Sequence, residues 1–138
     1  MPRKPDLGGV NRIIDANLNR CREGLRVCEE IARFVVNDHG ITLSLKMLRH
    51  KLNLASSMLA PKDGLLKERA SDKDVGRLTR AGELKRKGIE DILYANLQRS
   101  KESLRVLEEF SKLRSIEAAL KFKELRFKLY EIEKGFAV

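Results

Sequence analysis

A chain of 138 residues has the size of one domain and can bury a core without disulfide or metal staples. Its formal net charge of +9 invites a nucleic-acid reading. Two features oppose that reading: charges of both signs are interspersed along the chain, and stacking surface is scarce, with no Trp, five Phe and two Tyr. A basic cleft for phosphorylated small molecules fits the same charge. Cys21 and Cys28 lie seven positions apart on one helical face, too far for a disulfide. No His or Cys cluster offers a metal site, so buried, reduced thiols in a cytoplasmic protein are expected. The opening MPRKPDLGG has no apolar run that would mark a signal peptide or membrane span.

Met1–Val10, broken by Pro and Gly, reads as a loose arm. Asn11 is the expected N-cap of a first helix over Arg12–Asn37, with Gly40 just past its end. At about 100° per residue, Ile14, Leu18, Cys21, Leu25, Cys28 and Ala32 share one side, which Val27, Ile31, Phe34 and Val35 widen into a broad apolar arc. Asn19, Arg22, Glu23, Arg26, Glu29 and Glu30 fill the solvated face. A second helix, Ile41–Ala60, aligns Ile41, Leu45, Leu48, Leu52, Ala55 and Leu59 until Pro61 stops it. Pro61–Arg80 lacks periodicity and carries Gly64, Gly76, Arg69, Arg77, Arg80, Asp72 and Asp74. A segment this long inside a compact helical domain is functional or disordered. Its composition suits phosphate groups with their magnesium, and suits a solvated linker equally. The third helix starts at Ala81, or at Gly88 if Lys87–Gly88 is a break, and reaches Leu113. The fourth covers Ile116–Glu133, with Leu125, Leu129 and Ile132 inward and a frayed tail from Gly135.

The chain repeats itself. Ala16–Glu30, ANLNRCREGLRVCEE, returns 79 positions later as Ala95–Glu109, ANLQRSKESLRVLEE, with ten of the fifteen residues identical. Lys46–Leu52, KMLRHKL, returns as Lys123–Leu129, KELRFKL, at an offset of 77, so the second copy has the shorter connection. One domain built from related halves, 11–60 and 88–135 with connector 61–87, is therefore expected. No segment alternates with period two, so the fold class is all-α: a duplicated helical hairpin forming an antiparallel four-helix bundle, with an approximate internal two-fold.

Both copies break the apolar pattern at the same places. Asn17 and Arg20 project from within the arc beside Gly24, as Asn96 and Arg99 do beside Ser103. A polar group there must find partners. Either Arg20 pairs with Glu23 and Arg99 with Glu102 at the edge of the core, or each Asn–Arg pair faces a cavity and holds an anion. Arg49 and Arg126 edge the apolar stripes of their helices, where an intra-bundle salt bridge competes with an inward role.

Several signatures are missing. There is no Walker-type glycine loop and no dinucleotide fingerprint, and no GxSxG elbow or protein-kinase motif set. His39 and His50 are not spaced as metal ligands and read as surface or boundary residues. Many arginines, two buried-looking asparagines and scattered carboxylates suit phosphoryl transfer, which works by positioning and charge stabilisation.

RIIDANLNRCREGLRVCEEIARF, LKMLRHKL, the DVG of Asp74–Gly76, YANLQRSKESLRVLEEFSKL and ELRFKLYEIEK resemble, in that order, one small helical family. It is the domain found fused to, or beside, thiamin-phosphate synthase and described as a second, monofunctional kind of hydroxymethylpyrimidine-phosphate kinase. The resemblance runs from about Val10 to Lys134. It implies ATP- and Mg2+-dependent phosphorylation of 4-amino-5-hydroxymethyl-2-methylpyrimidine phosphate to the diphosphate that the synthase consumes. Positions matching the family motif are Arg12, Asp15, Asn17, Arg20, Glu23 and Arg26, then Asn96, Arg99, Glu102 and Arg105, with Arg49, Arg126 and the Arg69–Gly76 stretch. On that basis Arg20, Arg99 and Arg77 are the candidate catalytic residues. Asn17, Asn96, Arg12, Arg49, Arg126, Arg69 and Gly76 are candidate substrate or phosphate ligands, and Asp74, Asp72 and Asp15 candidate magnesium ligands. The synthase barrel of fused members has no counterpart in these residues. The alternative is a non-catalytic module that docks on the synthase and regulates it or channels substrate to it. Pairing of two chains through the repeated faces is a further expectation.

Overall fold

A computed structural model describes residues 7–59, 66, 69–78 and 86–137. Among these residues the chain forms four long helices and no strand: α1 (Leu7–Ile31), α2 (His39–Ser56), α3 (Ile89–Ser111) and α4 (Ile116–Phe136). α1 and α4 each pack on both α2 and α3, which closes the all-α bundle, and α1 with α3 makes its largest interface. No helix among the described residues is long and apolar enough to cross a membrane.

The core is the face that periodicity predicts. Ile14, Cys21, Leu25 and Cys28 of α1 meet Leu45, Leu48 and Leu52 of α2, Leu97, Leu104 and Leu107 of α3, and Phe122 and Leu129 of α4. Where α1 and α3 cross, Ser100 Oγ donates to the Cys21 carbonyl oxygen at 3.4 Å. Cys28 Sγ donates to the Leu93 carbonyl oxygen at 3.8 Å, so numbers fall along α3 as they rise along α1 and the helices are antiparallel. Cys21 and Ser100 are corresponding positions of the two copies, and the internal two-fold therefore passes between them. Gly24 permits the closeness: a Cβ there would overlap Ser100 Oγ and lie 3.0 Å from the Asn96 carbonyl oxygen.

Each hairpin is tied by the same ionic clamp. Arg49 Nε and Nη2 both donate to Glu29 Oε1, at 3.0 and 2.9 Å. Arg126 Nε and Nη2 both donate to Glu108 Oε1, at 3.2 and 2.9 Å. Arg26 and Arg105 reach the second oxygens of Glu29 and Glu108. For Arg49 and Arg126 this is the intra-bundle salt bridge. Glu29, expected on the solvated face, is instead buried as the counter-ion.

Helix ends depart from expectation for identifiable reasons. Leu7–Val10 is helical, and Asn11 lies inside α1 instead of capping it. Val10 stands one turn before Ile14 and is buried with it, which outweighs the local glycines. After Ile31 the backbone widens into a π-type turn, Ala32–Val36, closed by Asn37 in the left-handed region (φ 57°). The wider turn loses the helical phase, so Phe34 and Val35 leave the apolar arc and are exposed. Asp38, not Gly40, sets the boundary: its side chain accepts from the Ile41 N–H at 2.9 Å and draws Gly40 into α2. α2 ends at Ser56, four residues short of expectation. α3 begins after Gly88, and α4 continues through Gly135 to Phe136, whose ring packs on the core. Residues 1–6, Pro61 and the alternative helix start at Ala81 lie outside the described residues.

Two outcomes follow from this packing. Gly24→Ala would normally stabilise a helix by about 0.5–1 kcal/mol, but here overpacking should destabilise the protein by about 1–3 kcal/mol in urea unfolding. Ser100→Ala in the same chain should recover part of the loss, whereas no coupling would mean that the crossing has relaxed. Burial pushes the Cys21 and Cys28 thiols up to about 12. The unfolded chain loses those protons first, at about pH 8.5, so the stability they contribute is present below that pH and is lost towards pH 12. The Cys21→Ala/Cys28→Ala variant should lose less of its urea midpoint over this window; an equal loss would assign the effect to other groups.

Candidate functional site

The crossing of α1 and α3 fixes where polar side chains from the two copies can meet. Arg20 and Arg99 each precede a residue on the internal axis, and both line one open cleft of about 810 Å3 together with Arg12, Asn17, Glu23 and Asp74. Arg20 and Arg99 are exposed. Among the described residues no hydrogen bond or ion pair holds Arg12, Arg20 or Arg99, and the partner expected for Arg99, Glu102, accepts from Gln98 instead. The expected Arg20–Glu23 and Arg99–Glu102 pairs are thus not formed among the described residues, and both arginines face the cleft.

Asn17 and Asn96 behave as a pair. Asn17 Nδ2 donates to the Ile13 carbonyl oxygen and Asn96 Nδ2 to the Ile92 carbonyl oxygen, both at 2.8 Å and both one turn back. Asn17 is buried at the cleft wall, while Asn96 is half-buried and outside the lining. The two-fold is thus obeyed in the backbone and broken in the cavity.

Part of the central segment supplies the break. Arg69 spans 54 positions to grip Asp15 with two parallel bonds, Nε to Oδ2 at 2.8 Å and Nη2 to Oδ1 at 2.7 Å. Asp15 is nine-tenths buried, and the bonds it accepts hold the Arg69 guanidinium above its ordinary pKa. The residue corresponding to Asp15 in the second copy is Tyr94, so only the first copy has this anchor. Behind Arg69, the short 3-10 turn Ser71–Lys73 leads to Asp74, whose Oδ1 accepts from the Gly76 N–H at 2.8 Å.

The remaining candidates separate. Asp15 has both oxygens engaged by Arg69, Asp74 Oδ2 has no partner among the described residues, and Asp72 is exposed outside the lining. Among the described residues no three His, Cys, Asp or Glu groups are placed to share a metal ion. Arg77 and Gly76 are exposed and do not line the cleft. Arg26, Arg49, Arg105 and Arg126 belong to the two clamps, and Arg26 and Arg49 line a different cavity. Sequence reasoning overlooked Asn19, which it placed on the solvated face and which lines the cleft, as does Ser71 from the Arg69–Gly76 stretch.

Together these features define an all-helical domain with an arginine-lined cleft beside an anchored loop, suited to anionic small molecules. The chain belongs to the ThiD2 family, matching it over residues 12–135. It is 43% identical over 129 residues to the thiamine-phosphate synthase of Synechocystis sp., covering 91% of this chain and 36% of that protein. It is 40% identical over 124 residues to the thiamine-phosphate synthase of Nostoc punctiforme, covering 90% and 34%. With the thiamine-phosphate synthase of Rhodopirellula baltica the identity is 38% over 122 residues, covering 88% and 32%. The chain thus spans about a third of the length of these relatives. No solved structure matches it.

The Asp15–Arg69 pair is half-exposed on the arginine side, so its removal should cost about 1 kcal/mol or less globally. Its effect should be local. In Asp15→Ala, amide exchange across residues 69–78 is expected to accelerate while α3 and α4 keep their protection. Unchanged exchange in the loop would show that something else holds it.

Proposed function

We propose that the chain is a kinase of thiamin biosynthesis that moves the γ-phosphoryl group of ATP onto hydroxymethylpyrimidine phosphate. The observation that carries this reading is the placing of Arg20 and Arg99, one from each copy and both unpaired among the described residues, on a single cleft. The relatives' name supports the pathway, and the family resemblance supports the step.

A non-bridging oxygen of the acceptor monophosphate attacks the γ-phosphorus of ATP. The bond from that phosphorus to the β,γ-bridging oxygen breaks, and ADP leaves with the electron pair. A phosphomonoester is largely ionised at neutral pH, its second pKa lying at about 6, so no strong general base is required. Charge is spread over the oxygens of the transferring group, and preorganised guanidiniums are the groups that stabilise it. Arg20 and Arg99 take that role, Arg12 and Asn17 hold one set of phosphates, and Arg69 fixes the loop that borders the cleft. Asp74 would hold magnesium through one carboxylate oxygen, and the ion, which takes its other ligands from substrate and water, would offset phosphate charge there. Asp15 serves the loop anchor instead.

A second reading has its own observation. Leu43, Met47 and Leu54 lie exposed on the outer face of α2, with exposed Met58 just past its end, and the relatives carry this domain within a longer synthase. A module that docks on the synthase through that face would need no transfer chemistry.

A coupled assay with ATP, magnesium and the pyrimidine monophosphate separates them. Diphosphate should form, and Arg20→Ala and Arg99→Ala should each lower turnover by at least about a hundredfold with unchanged circular dichroism. Absence of transfer from the folded chain, with co-purification of the synthase, would favour the docking module. Full activity in either variant would sink the shared-cleft mechanism.

A further inference from the structure

The two clamps are built alike but finished differently. In the second copy Arg126 Nη1 donates to Tyr130 Oη at 3.1 Å, which leaves the side chain 13% exposed. In the first copy Arg49 is 25% exposed, and its Nη1 has no partner among the described residues. The position matching Tyr130 is Asn53, 77 residues earlier, and Asn53 turns to Arg22, accepting from its Nε at 2.8 Å. On the N-terminal side of Arg49, away from Asn53, lies a cavity of about 530 Å3 that Arg49 lines.

The connection between α1 and α2 shapes this opening. Residues 32–38 separate the first pair of helices but only residues 112–115 the second pair. The extra length is taken up in the π-type turn and the left-handed Asn37, and π-type insertions recur at functional sites. Arg33, in that turn, lies 4.7 Å from the centroid of the Phe34 ring and has no carboxylate partner among the described residues. Its counterpart in the second copy, Lys112, is neutralised by Glu109 at 2.9 Å. Lys46, from α2, also lines the cavity without an ion pair among the described residues. The acids on its wall are already engaged, Glu29 by Arg49 and Arg26, and Asp38 by the Ile41 N–H.

We infer that this cavity is a second anion site, separate from the cleft, that takes a small phosphate-bearing molecule. A planar guanidinium edge and the point charge of an ammonium, from Arg49 and Lys46 of α2, meet a second guanidinium from Arg33 of the π-type turn. Such a set meets a tetrahedral, multiply charged group better than a single carboxylate. Glu29 stands nine residues beyond Arg20 on α1, roughly 13.5 Å along the axis, so the two sites do not share one phosphate. The inference is independent of the kinase reading.

Nuclear magnetic resonance titration of the intact chain with pyrophosphate tests it, with acetate as the control anion. Saturable shifts are expected at the amides of Arg33 and Asn37–Thr42, and acetate should not reproduce them. Arg33→Ala and Lys46→Ala, both at exposed positions, should each weaken the response roughly tenfold, while Arg20→Ala should leave it unchanged. Three results would each overturn the inference: no saturable shift at these amides, an equal shift with acetate, or an unaltered affinity in the Arg33→Ala/Lys46→Ala chain.

Discussion

The near-contact of α1 and α3 at Gly24 is the constraint on which the rest of the molecule depends. Two helices carrying ordinary side chains pack roughly 8–10 Å apart; a missing Cβ opposite a serine allows a closer approach. Because Cys21 faces Ser100, its own counterpart, the contact also sets the axis that relates the hairpins. Everything polar that the duplicated segment carries is then placed by symmetry. Arg20 and Arg99 reach one cleft because each stands one residue before that axis.

The second organising element is a buried carboxylate in each hairpin. Glu29 and Glu108 would be costly inside the bundle by themselves, since removing one partner of a buried ion pair commonly costs about 3–5 kcal/mol. Here each carboxylate meets two donors from an arginine on the neighbouring helix and a third from its own helix. The solvent-exposed pairs to Glu30 and Glu109 add little. The clamps therefore fix how α2 sits on α1 and α4 on α3, and leave the crossing to fix how the hairpins meet.

How much could be read beforehand depended on how local the cause was. The duplication, the all-helical fold and the inward faces rest on spacing along the chain, and the core residues follow them. Arg20 and Arg99 stood out because they violated the pattern at matching places. Glu29 did not, because helical phase alone puts it on the polar side; only an arginine from the next helix, 20 positions on, accounts for its burial. Phe34 and Val35 were misplaced because a π-type turn changes the phase without any sequence marker. The Asp15–Arg69 bond joins residues 54 apart and lies beyond any periodic argument. The shift of offset from 79 to 77 was visible, yet its meaning required seeing which copy absorbed the difference.

A cleft shared evenly across a two-fold axis presents the same face to either end of whatever it holds. Such a cleft cannot distinguish one phosphate from another by its own geometry, and an early, strictly symmetric pair of hairpins would have held a ligand in two equivalent directions. Asp15 on one side and Tyr94 on the other remove that degeneracy, since only Asp15 anchors the loop. The cleft therefore has one orientation in place of two equivalent halves. Under the proposed kinase function, a ligand with unlike ends would enter it one way round.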